Sequence, residues 1–252
     1  MSEKEYKTSE YVVAFIDILG ATNAIKNSEN ISLSMVHQIY DGAIESFGPM
    51  NARKEFFRPE IKIFSDNIVV AVPYDDTHTL ENAFLAVCIM SSVIQIDFLA
   101  NGWLTRGGIT AGSFFIDETM VWGKALVDAY HLESTVAYFP RVIVAPILAE
   151  KLDLSKLVIQ DKNQRFSRFL KYSNDGFFFI DFLRGVHQKA VGIGLEMYKS
   201  QNILEKQLLD HKGNTKICQK WLWMDSYIKQ YYEEQMNEGE NINETANEGQ
   251  RG

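Results

Sequence analysis

Two aspartates stand where a chain can hold them in the open. Asp17 lies near the end of Tyr11-Val12-Val13-Ala14-Phe15-Ile16-Asp17-Ile18-Leu19-Gly20, and Asp66 lies in the middle of Ile61-Lys62-Ile63-Phe64-Ser65-Asp66-Asn67-Ile68-Val69-Val70-Ala71-Val72. Ser, Asp and Asn initiate turns by bonding their own backbone, so Ser65-Asp66-Asn67 predicts a hairpin that aims one acid outward. Two carboxylates on neighbouring strand ends suit a divalent cation, because hard ions such as Mg²⁺ and Mn²⁺ take oxygen ligands. Each acid also has a plainer reading: Asp17 can cap the helix that follows, and Asp66 can be a turn residue only. Arg106, in Trp103-Leu104-Thr105-Arg106-Gly107-Gly108-Ile109, adds a guanidinium on a further, glycine-bearing strand. The joint occurrence of the three favours a site over three separate structural roles.

The elements that must position these side chains follow from the pattern. Residues 11–20 predict a buried strand, and Gly20 leads into a helical region through Met35, Ile39, Ala43, Ile44 and Phe47, broken near Asn30. A connection covers 48–59, the hairpin follows, and apolar residues at helical spacing predict a second long helix over 79–99. Residues 103–115 read as a strand whose glycines imply a bulge or the close approach of other backbone. An amphipathic helix over 124–136 and a strand over 140–144 complete the pattern. This order predicts an α+β fold, an antiparallel sheet with helices on one face. Further on, Val158 and 177–180 suggest additional strands, and 188–232 suggests two helices. The Asn-, Glu- and Gly-rich remainder predicts disorder. The chain divides into an N-terminal segment, 1–9; a core domain, 10–186; C-terminal helices, 187–232; and a disordered acidic tail, 233–252.

At 252 residues the chain can bury a substantial core. A net charge of -8 with scattered Lys and Arg offers no basic field for a nucleic-acid backbone. Cys88 and Cys218 lack metal-type spacing. The charged opening Met1-Ser2-Glu3-Lys4-Glu5 does not read as a secretory signal, and no stretch reads as the ~18 apolar residues of a spanning helix. The expectation is a soluble, cytoplasmic protein with neither nucleic-acid nor membrane partners.

Four ordered blocks carry a resemblance to the class III nucleotidyl cyclases. Phe15-Ile16-Asp17-Ile18-Leu19-Gly20-Ala21-Thr22 resembles the first metal-binding block, with Ala21 where the family has Phe. Lys62-Ile63-Phe64-Ser65-Asp66 is similar to the second metal block, and Arg106-Gly107-Gly108-Ile109-Thr110-Ala111-Gly112 to the Arg-x-Gly-Ile-x-x-Gly strand. Trp122-Gly123 through Leu132-Glu133-Ser134 is similar to the Trp-Gly helix block. Within the family, the FIDILG opening and the RGGI strand look closest to the Pycsar pyrimidine cyclases of bacterial antiphage defence. The resemblance spans roughly 10–145 and implies a ferredoxin-like catalytic core, extended by C-terminal strands and helices.

The resemblance also implies roles. Asp17, Asp66 and the Ile18 carbonyl would bind two divalent cations, Mn²⁺ or Mg²⁺; Gly20, Ala21, Thr22 and Arg106 would bind phosphates; Lys62 and Met120 would face the base. Met120 stands where adenylate cyclases carry an acidic adenine reader, and a thioether cannot accept the adenine amino proton. Lysine only donates, so it suits the O2 and O4 of uracil better than cytosine, which presents a donor at N4. The implied reaction is conversion of UTP, or less readily CTP, to a cyclic monophosphate in a homodimer with shared active sites, read by a separate cyclic-nucleotide effector. The family's transition-state Asn and Arg fall on Val127 and His131, so His131 or another donor would substitute. The alternatives are a catalytically silent nucleotide-binding dimerisation module and a purine cyclase.

Overall fold

The computed structural model describes residues 5–47, 59–160 and 164–248. The connection expected over 48–59 therefore lies almost wholly outside the described residues. The chain separates at Gln201 into a large unit and a smaller C-terminal one.

The large unit begins β1 (Ser9–Leu19), α1 (Ala21–Phe47), β2 (Glu60–Phe64), β3 (Asn67–Pro73), α2 (Thr77–Ala100), β4 (Leu104–Ile116). These strands pair antiparallel in the order β2-β3-β1-β4, the ferredoxin-like arrangement. The chain goes on through β5 (Val121–Trp122), α3 (Lys124–Thr135), β6 (Val142–Val144), α4 (Pro146–Lys151), α5 (Gln164–Ser167), β7 (Leu170–Tyr172), β8 (Phe178–Ile180), α6 (Phe182–Gly185) and α7 (Gln188–Ser200). β6 joins β4 in parallel, and β8 and β7 extend that edge. The sheet is thus mixed rather than wholly antiparallel. The β1–β4 register runs unbroken from Ser9↔Phe114 to Leu19↔Leu104, so Gly107-Gly108 is not a bulge.

Alternation along the strands decides which helix covers which face. Ile16 pairs with Ile68, and Ile68 lines a small cavity with Ile39 and Ala43 of α1 and Ile94 and Phe98 of α2. Val13, Phe15, Val69 and Ala71 take the opposite parity and pack with Ala125 and Ala129 of α3. The two helices of the ferredoxin-like core share one face as expected, but α3 covers the other. Val12, Val13, Ala14 and Ile16 are all fully buried. That is the outcome of an apolar run without alternation, which wants both faces covered.

α1 carries its break at Ser28, close to the position expected. α2 starts in a capping box, with the Thr79 amide donating to Asp76 Oδ1 at 2.8 Å and the Asp76 amide donating to Thr79 Oγ1 at 2.8 Å. Contrary to the sequence reading, Thr79–Ala100 is long and apolar enough to cross a bilayer. Its apolar character is explained by burial of most of its surface, against the sheet and against α6 and α7, with Glu81, Ile89, Val93 and Asp97 only half-buried. Val158 lies in a π-helical turn, Ser155–Gln160, not a strand. The Asp153 carbonyl accepts from the amides of Lys156 and Leu157, both at 3.0 Å, and starts that turn.

The C-terminal unit consists of α8 (Ile203–Asp210) and α9 (Thr215–Glu248). Three helices therefore follow residue 187 where two were expected. α9 also continues to Glu248, across most of the segment expected to be disordered. The tail lacks proline, and its Gln and Glu side chains can pair one turn apart, as Gln230 Nε2 does with Glu234 Oε1 at 2.9 Å.

One carboxyl of α2 is misplaced for stability. Asp97 borders a cleft of about 340 Å³ with Met35, Ile39, Ile193 and Met197, and burial pushes its pKa up to about 6. The folded state then holds the proton more tightly than the unfolded chain does. The associated stability is present at low pH and is lost as pH rises from about 4 through about 6. Asp97→Asn is expected to stabilise the protein at pH 7 by on the order of 1 kcal/mol after allowance for solvent screening. In thermal unfolding this gain should shrink toward zero as pH is lowered to about 4; an equal gain at both pH values would contradict the assignment.

Candidate active site

β1 delivers Asp17 to the α3 face of the sheet, with Asn67 of β3 and Arg106 of β4 as its register partners. The next residue ties in the hairpin: the Ile18 amide donates to the Asp66 carbonyl at 2.8 Å. In a strand the N–H and C=O of one residue point to the same side, so the Ile18 carbonyl also faces the β2–β3 turn. Ser65 has φ of 56°, the left-handed backbone that a two-residue hairpin turn requires. Asp66 Oδ2 accepts from Thr22 Oγ1 at 3.3 Å and Oδ1 from Asn67 Nδ2 at 3.1 Å. Both donors are neutral, and among the described residues no cation pairs with Asp66. Gly20, with φ of 87°, turns β1 directly into α1, and Ala21 and Thr22 open that helix beside Asp66.

Arg106 is placed differently. Its Nε lies 3.2 Å from Asp17 Oδ2 and 2.7 Å from Glu133 Oε1, and Nη1 donates to the Ala137 carbonyl at 3.3 Å. The three side chains are 23%, 19% and 4% exposed for Arg106, Asp17 and Glu133. A guanidinium expected to be available to phosphate is thus already held by two carboxylates and a carbonyl. Glu133 is the residue that sequence reasoning passed over.

The expected base readers are brought to one loop. Lys62 shares the α3 face with Asp17, and its Nζ donates to the Glu118 carbonyl at 3.3 Å. That loop is closed by its own hydrogen bonds: Asp117 Oδ1 accepts from the amides of Thr119 and Met120 at 2.8 and 2.9 Å, and from Thr119 Oγ1 at 2.7 Å. Met120 is 47% exposed beside it. Val127 and His131 stand one turn apart on the exposed side of α3.

No family model matches the chain. No curated protein matches it either. Among solved structures it is similar to the adenylyl cyclase CyaB from P. aeruginosa, at 17% identity and a TM-score of 0.44, over 60% of this chain and 83% of that one. It is similar to an adenylate/guanylate cyclase/hydrolase from Silicibacter pomeroyi at 15% identity and a TM-score of 0.44, over 69% and 98% of the two chains. A third is the monomeric guanylyl cyclase domain of the RhoGC fusion protein from the aquatic fungus Blastocladiella emersonii, at 10% identity and a TM-score of 0.43, over 70% and 98%. Such likeness assigns no chemistry to this chain; its own residues must do so.

The donor set fits a hard divalent cation. Among the described residues no cluster of three or more His, Cys, Asp or Glu exists that could cage an ion. A cation here would take Asp17, Asp66 and the Ile18 carbonyl and complete its shell with water or phosphate oxygens, the usual habit of Mg²⁺.

Proposed function

We propose that the chain is a nucleotidyl cyclase, closing a nucleoside triphosphate to its 3′,5′-cyclic monophosphate with release of pyrophosphate. The observation that carries this reading is the convergence of Asp17, the Ile18 carbonyl and Asp66 at one strand end beside the Gly20 turn. In this reaction the ribose 3′-oxygen attacks the α-phosphorus in line, and the demand on the protein is positioning and charge control. Two bound divalent cations, Mn²⁺ or Mg²⁺, would supply activation of the 3′-hydroxyl and neutralisation of the leaving oxygens. Asp17 and Asp66 hold that end of the site. The free amides at the start of α1 are donors for the β- and γ-phosphate oxygens, and Gly20 lets the phosphates approach them.

For the base, Lys62 supplies a donor and Met120 supplies no acceptor of hydrogen-bond strength, which supports UTP over CTP and disfavours ATP. Trp122, Val127 and Tyr130, 67%, 62% and 53% exposed, leave apolar surface around α3 for a second copy. A two-fold homodimer would then form two equal shared sites. The cyclic product would be read by a separate effector, and the likeness to the pyrimidine cyclases of antiphage defence suggests that setting. A silent nucleotide-binding module is the second reading. It is favoured by one observation: Val127 and His131 offer neither amide nor guanidinium on the exposed side of α3.

The test is incubation with ATP, GTP, UTP or CTP and Mn²⁺ or Mg²⁺, with products identified by mass. A cyclic pyrimidine nucleotide supports the proposal, a cyclic purine nucleotide overturns the base assignment, and no cyclic product from any substrate favours the silent module. Lys62→Ala is expected to lower kcat/KM for the preferred pyrimidine by about 10- to 100-fold, the worth of one hydrogen bond from a charged donor. An unchanged ratio between nucleotides would remove Lys62 from the base site.

A further inference from the structure

One guanidinium stands between two carboxylates of different character. Asp17 sits at the half-open strand end, whereas Glu133 is almost wholly enclosed between α3 and the sheet. An enclosed carboxylate needs a cation to remain charged, so Glu133 fixes Arg106 in place. The Ala137 carbonyl holds the same guanidinium from the chain just after α3, which leaves Arg106 a static charge directly across the ladder from Asp17.

We propose that Glu133 is a positioning residue that sets how tightly the Asp17 end of the site binds a divalent cation. The inference rests on the reading of Asp17 as a cation ligand. Arg106 and the cation compete for the same carboxylate. With Glu133 ionised, the Asp17–Arg106–Glu133 trio carries a net charge of -1 and half of the guanidinium's pull is directed into the protein. With Glu133 neutralised, the trio is neutral and Arg106 pairs with Asp17 alone, so the cation must displace a full ion pair. The geometry thus separates two tasks: Asp17 contacts the cation, and Glu133 acts through Arg106 to keep Asp17 available.

The experiment is Mn²⁺ binding to the full chain without nucleotide, followed by the electron paramagnetic resonance signal of free Mn²⁺, with thermal unfolding recorded in parallel. Glu133→Gln is expected to weaken Mn²⁺ binding at least tenfold, because one unit of negative charge is removed within several ångströms of the ion. Glu133→Asp, which keeps the charge, should bind within about threefold of the unaltered protein. The double variant Arg106→Gln with Glu133→Gln leaves no enclosed unpaired charge and frees Asp17. It should recover binding to within about threefold, and it serves if Glu133→Gln alone folds poorly. Equal Mn²⁺ affinity in the unaltered protein and Glu133→Gln overturns the proposal, as does tenfold weaker binding by the double variant. Absence of any Mn²⁺ binding by the unaltered chain overturns instead the cation site itself, so the two failures are distinguishable without measuring turnover.

Discussion

Asp66→Ala is expected to reduce cyclic nucleotide formation at least about 100-fold, since the cations are asked to supply several kcal/mol of transition-state stabilisation. The fold should survive. The aspartate side chain contributes two hydrogen bonds, from Thr22 and Asn67, both reached by solvent and together worth only about 1–3 kcal/mol. The turn itself is held by backbone, through the Ile18 amide on the Asp66 carbonyl, which alanine retains. Product formation at saturating Mn²⁺ and the unfolding midpoint should therefore part company. Activity within threefold of the unaltered protein would remove Asp66 from the cation site, and a collapse of the unfolding midpoint would make its role structural.

The second large effect is on stability. A Cβ added at Gly108 would stand 2.7 Å from the Ala129 carbonyl oxygen and 2.8 Å from Leu132 Cβ, so Gly108→Ala must push α3 off the sheet. Overpacking against backbone costs about 1–3 kcal/mol, or a fall of about 2–12 °C in Tm for a chain of this size. The displacement also draws Glu133 away from Arg106, because both ends of that pair ride on the two surfaces being separated. Gly42→Ala, inside α1, is the control: nothing stands within 4 Å of an added Cβ, and alanine favours the helix, so its midpoint should not fall. Calorimetry of the two variants distinguishes them, and a Gly108→Ala midpoint within 1 °C of the unaltered protein would contradict the packing of α3 on this face.

The parts of the fold that local pattern determines are legible in the sequence. The unbroken apolar run of β1, the Ser65-Asp66-Asn67 bend and the helical spacing of α2 each state their own conformation. Pairing partners far apart in sequence were not legible. Nothing local to Val142–Val144 says that it lies parallel to β4, and nothing local to α3 says which side of the sheet it covers. The same limit explains Arg106. The resemblance implied phosphate for it, while one of its actual partners, Glu133, arrives only through the crossover that brings α3 over the sheet. A signal was present: Ala125, Ala129 and Leu132 form the buried stripe of α3, and Glu133 falls on the same stripe, where a charge demands a partner. Lys62 and Met120 were paired by resemblance, and the chain does bring them to one loop. Which base they face is a matter for the nucleotide assay.

The central position of β1 also bears on how the protein is made. Both of its ladder partners follow it in the chain, and β4 ends near Ile116. At ~5–20 residues per second, ribosomes release β1 several seconds before it can be flanked on both edges. During that interval Val12-Val13-Ala14-Phe15-Ile16 is a short, uncharged, β-prone segment with two open edges, the kind that recruits other nascent chains. Yield of native protein should therefore depend on synthesis rate and on chaperone supply more steeply than its equilibrium stability would suggest.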